Sequence, residues 1–186
     1  MTWIFILIGV LVLLALFVMS TYNALVVSRN RAKDQWAQVD VQLKKRFDLI
    51  PNLIEVVKGY AKHEKETFEA VIEARNKFNS SNTPEQEMKA AGELNAVMSR
   101  LFALSEAYPE LKSDQNFMQL QVDLKDTEEK IAYARQFYND SVLNYTNKLQ
   151  MFPSNIIANI FKFEEMKFFE VAESEKEVPK VSFTKK

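Results

Sequence analysis

The chain has 186 residues, 47% of them hydrophobic, a net charge of −1 and no cysteine. That balance excludes a disordered chain and gives no electrostatic argument for a nucleic-acid partner. The missing cysteine excludes disulfides, thiolate zinc sites and cysteine nucleophiles. Three Gly and five Pro are too few to punctuate a sheet protein, so long helices with few connections are expected.

Trp3 to Met19 carries no charged or strongly polar side chain, and a bilayer core needs about 20 apolar residues as a helix. Nothing basic precedes Trp3, and Ser20-Thr21-Tyr22 is a poor cleavage site, so a retained anchor over residues 1–21 is favoured over a cleaved signal peptide. Arg29, Arg31 and Lys33 follow the run, with Lys44, Lys45 and Arg46 further on. By the positive-inside rule the N-terminus lies outside and the body in the cytoplasm.

From Tyr22 the apolar residues Leu25, Ala32, Trp36, Val39, Leu43, Phe47, Ile50, Leu53 and Val57 recur with the period of a helix burying one stripe. Two readings of Pro51 follow. In the preferred one, Asp48 caps a second helix, with Pro51 in its first turn, running to about Phe78. In the other, one long helix is kinked at Pro51. Asn79 to Pro84 is a loop, and Thr83, Pro84, Glu85 and Glu87 start the next helix, which ends at Tyr108-Pro109. Ser113 or Asp114 opens a last helix to about Leu149. The predicted fold is all-α: an N-terminal transmembrane helix, then an antiparallel up-and-down four-helix bundle over residues 22–150. Residues 151–186 read as an aromatic segment and an extended, charged tail. Chain direction puts the end of the last helix, and Phe152 to Phe169 after it, on the membrane side.

Candidate chemistry is sparse. His63 is the only histidine, and no zinc-protease or di-iron spacing surrounds it, so no metal or cofactor is expected. Glu64 and Arg75 fall on the stripe of the second predicted helix, and Thr127 and Glu128 on or beside that of the last. They read as a buried or half-buried polar network fixing helix register, the alternatives being a solvated stripe edge and, more sharply, a ligand or catalytic role. Close helix approach accounts for Gly59 and Gly92. The Lys44-Lys45-Arg46 run reads as a solvated helix face, or as a contact for anionic lipid or an acidic partner. The Phe-rich stretch from Phe152 to Phe169 reads first as packing along the bundle; in the sharper reading Phe152, Ile156, Ile157, Ile160, Phe161, Phe163, Phe168 and Phe169 are membrane-surface or partner contacts.

These residues resemble the LemA family. The likeness is carried by YNALVVSRN (22–30), QWAQVDVQLKKRFDLIPNLIEVVKGYAKHE (35–64) and AYPELKSDQNFMQLQVDLKDTEEKIAYARQFYND (107–140), then by FPSNIIANIFKF (152–163), FFE (168–170) and PKVSF (179–183). Phe47 stands where the family commonly has His. The resemblance implies a bacterial single-pass membrane protein with a helical body, a turn rather than a kink near Pro51, and no enzyme activity or cofactor. Some relatives look like contributors to organelle membranes or surface antigens.

The function expected is therefore a non-enzymatic, membrane-anchored scaffold or adaptor. Its contacts are the lipid bilayer, further copies of the chain and a membrane protein, for which the family's genomic association with membrane proteases supplies a candidate class. The alternatives are a tethered sensor binding a small ligand between helices and an enzyme using Glu64 with a second carboxylate.

Overall fold

The computed structural model describes residues 1–170, and every described element is helical: α1 (Thr2–Tyr60), α2 (Lys65–Asn79), α3 (Pro84–Ala107), α4 (Pro109–Lys112), α5 (Gln115–Gln150) and α6 (Ser154–Ile160). The predicted tail beyond Glu170, with its apolar patch at Val178 to Phe183, lies outside the described residues. Two compact units emerge among the described residues, Met1–Gln42 with Glu129–Phe168, and Leu43–Glu128 with Phe169 and Glu170.

The expected turn at Pro51 is not there. α1 runs through it, and Pro51 lies inside the helix. Proline removes one backbone bond, here to the carbonyl of Phe47, and disfavours a helix interior by about 3 kcal/mol. Phe47, Ile50, Leu53, Ile54 and Val57 are all buried on one stripe across it, and each such side chain contributes about 1.5–3 kcal/mol. A turn at Asp48 would take Ile50 and Leu53 off the stripe they share with Phe47, so burial outweighs the local penalty. The reversal comes instead at Ala61 to Glu64, where Ala61 N–H donates to Val57 and Glu64 N–H to Ala61. Glu64 thus sits at the start of α2 rather than on a continuous stripe. Nor does Gly59 mark a close approach, since a Cβ there would meet nothing within 4 Å.

In the second unit the end of α1, α2, α3 and the start of α5 surround one apolar core. Phe47 stacks on Phe78 with ring centroids 3.9 Å apart. The helix starts follow their sequence signals. Thr83 accepts from Gln86 N–H, with Pro84 in the first turn of α3. Asp114 Oδ1 accepts from Phe117 N–H at 2.9 Å at the start of α5. Tyr60 donates to Asp114 Oδ2 at 2.8 Å, fixing the end of α1 to the start of α5.

In the first unit α1 pairs antiparallel with α5. Trp36 meets Tyr138 edge-on at 5.2 Å, and Lys148 Nζ donates to the Ala24 carbonyl at 3.3 Å. α6 closes this pair. Leu25, Tyr145, Leu149, Ile157 and Ala158 form its core, with Val18, Phe163 and Met166 packed against it.

Candidate functional site

Three of the four sequence-predicted polar residues take separate partners. Glu128 Oε2 lies 3.1 Å from Arg46 Nη1. Thr127 is fully buried and donates to the Asp123 carbonyl of its own helix. Glu64 is half-buried and accepts from the Tyr108 hydroxyl at a long 3.4 Å. Arg75 is half-buried, and its Nε finds no hydrogen-bond partner among the described residues. The unforeseen member is Arg46. Its side chain is 8% exposed, against 44% for Glu128, so the Lys44-Lys45-Arg46 run is not one solvated face: the lysines are exposed and the arginine is buried.

A groove of about 320 Å³ lies between the end of α2 and the start of α3, lined by Lys77, Ser80, Ser81, Gln86, Lys89, Ala90 and Glu93. Lys77 Nζ is 3.0 Å from Glu93 and 3.1 Å from Glu73; the bonds to these two carboxylates, Glu93 first, raise its pKa above the ordinary lysine value. The charge is thus already neutralised locally. Among the described residues no three His, Asp or Glu side chains converge as metal ligands.

The richer site is in the first unit, around α6. After α5 the chain turns through a cis Phe152–Pro153 bond and enters α6, whose first turn is held by Ser154 Oγ donating to the Lys148 and Met151 carbonyls. Lys162, at φ 53°, ends α6 in the left-handed conformation. Phe163 N–H returns to the Ala158 carbonyl and Lys162 N–H to Asn159, which is the Schellman closure. The following segment runs back along α5, held by two tyrosine hydroxyls. Tyr145 donates to the Glu164 carbonyl at 2.9 Å and Tyr138 to the Lys167 carbonyl at 2.8 Å. Burial pushes the Tyr145 phenol above its ordinary pKa, opposed by Arg29 and assisted by Glu164.

α6 is thereby the turning point of the chain at the end of α5. It is pinned to α1 where the apolar run ends: Tyr22 packs on Phe161 at 4.8 Å and on Phe163 at 5.6 Å, and the Arg29 guanidinium lies over the Phe163 ring at 5.2 Å. The predicted contact set divides accordingly. Ile157 is buried inward, Phe163 is half-buried, and Phe152, Ile156, Ile160, Phe161 and Phe168 are exposed. Phe169 is buried and belongs to the other unit.

A family model described as the LemA family matches residues 35–183. The chain belongs to the LemA family. Protein LemA of Metamycoplasma hominis is 22% identical, with 83% of this chain and 71% of that protein covered. Magnetosome protein MamQ of Magnetospirillum gryphiswaldense is 24% identical, and MamQ 2 of Paramagnetospirillum magneticum 23%. In both MamQ comparisons 80% of this chain is covered, and it spans 64% of the relative's length. One described helix, α1, is long and apolar enough to cross a membrane, and none of its apolar window is buried.

Proposed function

We propose that this LemA-family chain is a non-enzymatic, single-pass membrane scaffold. Residues 1–21 cross the bilayer with the N-terminus outside. The cytoplasmic helical body contacts a membrane protein or further copies of itself.

The observation that carries this reading is the change of environment along α1. None of its apolar window is buried, yet Leu25, Ala32 and Val39 are buried in the first unit. A soluble helix exposing that much contiguous apolar surface would aggregate, whereas the same surface is stable in lipid. Arg29, Arg31 and Lys33 beyond the run support the orientation. Tyr133 and Phe137, one turn apart and exposed on α5, supply apolar anchors of the kind enriched at protein interfaces.

The test is a photo-crosslinker at Tyr133 of the full chain in its native membrane. A discrete adduct with a membrane protein or a second copy is expected, from protein that resists alkaline extraction. Release by alkali, or a small molecule co-purifying in place of any adduct, would overturn the reading.

A further inference from the structure

We propose that Met151 to Phe161 is a second membrane contact, a wedge whose apolar side chains enter the boundary between lipid headgroups and acyl chains beside the point where α1 leaves the bilayer. The inference rests on α1 crossing the membrane, as proposed above.

Composition sets the segment apart. Met151 to Phe161 holds no charged residue, although it is a surface segment of a chain that is 26% charged. Phe152 is 79% exposed and Ile160 65%; Met151, Ile156 and Phe161 are also exposed. Ile156 and Ile160, four apart, share one face of α6, while Ile157 and Ala158 turn the other into the core with Leu25, Tyr145 and Leu149. The helix is therefore already oriented, and its outward face presents Ile156 and Ile160 with the uncharged Asn159 beside them. In water this face would be a liability. At a bilayer boundary it is the surface that interfacial segments bury, to a depth of about 5–10 Å.

Depth follows from contacts on α1. A span of about 20 residues starting near Trp3 leaves the hydrocarbon near Tyr22. Val18 packs against the α6 core, and Tyr22 touches both Phe161 and Phe163. The wedge is thus held level with the last turn of the span, and its exposed face continues the lipid-facing surface of α1. The Lys162 reversal and the two tyrosine clamps then carry the chain back along α5, so the described residues that follow the segment leave that depth. Arg29 and Lys148, beside Phe163 and Ala24, sit just past the apolar run, where cations meet lipid phosphates. A second copy could cover the same face. The bilayer is favoured because the contacts with Val18 and Tyr22 place the face at lipid depth in a single chain.

The experiment uses the full chain in liposomes, with single cysteines at Leu11, Ile160 and Gln136 carrying a polarity-sensitive dye. Lipids with a shallow or a deep nitroxide are the quenchers. The Leu11 label should be quenched best by the deep nitroxide. The Ile160 label should be quenched several-fold more than Gln136, and best by the shallow one. If Leu11 is quenched and Ile160 is as open to aqueous iodide as Gln136, the wedge is wrong and the span stands. If Ile160 is shielded from both iodide and lipid quenchers, protein covers the face and the wedge is wrong. If Leu11 itself escapes lipid quenchers, the spanning helix fails and the wedge with it.

Discussion

Arg46→Ala should be far more damaging than Lys44→Ala or Lys45→Ala, although the three are neighbours in one basic run. The Arg46 side chain is 8% exposed and its guanidinium sits 3.1 Å from Glu128. Truncation removes two buried methylenes, Cγ and Cδ, about 0.8 kcal/mol each or roughly 1.6 kcal/mol together. The ion pair adds less, because Glu128 is 44% exposed and water screens it; about 0.5–1 kcal/mol is reasonable. The total is about 2–2.5 kcal/mol, which for a chain of this size lowers Tm by roughly 4–10 °C. Lys44 and Lys45 are exposed, and their removal should stay within about 0.5 kcal/mol. Glu128→Gln keeps the packing and loses mainly the charge, so it should fall between, near 1 kcal/mol. Far-UV circular dichroism melts of the full chain in one detergent would rank the four variants. An Arg46→Ala melt no lower than that of Lys45→Ala would refute the buried placement of Arg46 and restore the solvated-face reading.

Tyr145→Phe removes the donor to the Glu164 carbonyl; it should cost about 1 kcal/mol and speed amide exchange from Phe163 to Lys167, and unchanged exchange there would mean the clamp does not hold the segment. Pro51→Ala should leave Tm equal or higher, because an alanine N–H can donate to Phe47 within an unbroken helix, whereas a loss of several degrees would favour a turn at that position. Glu64→Gln should cost within about 1 kcal/mol, since its bond to Tyr108 is long; unchanged melting with lost cellular function would point to an active-site role. Asp114 is held below its ordinary carboxyl value near 3.8, first by the Phe117 N–H and next by the Tyr60 hydroxyl. Its lowered folded-state pKa contributes stability that is present above the ordinary value and lost as pH falls through the lowered one. The Tm gap between wild type and Asp114→Asn should therefore be full at neutral pH and close below about pH 4, and a gap independent of pH would contradict that assignment.

The parts legible in the sequence were those governed by local chemistry. Thr83 before Pro84 and Asp114 before Gln115 start helices because a short acceptor side chain and a missing N–H act within one turn. The period of the apolar residues marked one buried face of α1 and of α5. Pro51 misled because its penalty is local and the burial that overrides it is tertiary. The true reversal, Ala61-Lys62-His63-Glu64, contains neither Gly nor Pro, so nothing in it announces a turn. Arg46 was hidden by two exposed lysines, although its place four before Ile50 and three after Leu43 put it on the stripe. Tyr138 and Tyr145 were recognisable as stripe residues, but their hydroxyls find carbonyls 29 and 19 residues away. No period reports such a bond.

Sidedness is the most direct test of the central claim, that α1 carries a single span with the body on the cytoplasmic face. Single cysteines at Thr2 and Gln136 of the full chain can be exposed to a membrane-impermeant maleimide in intact cells and again after permeabilisation. The account predicts that Thr2 is labelled in intact cells and that Gln136 is labelled only after permeabilisation. Labelling of Gln136 in intact cells, or of Thr2 only after permeabilisation, would contradict it.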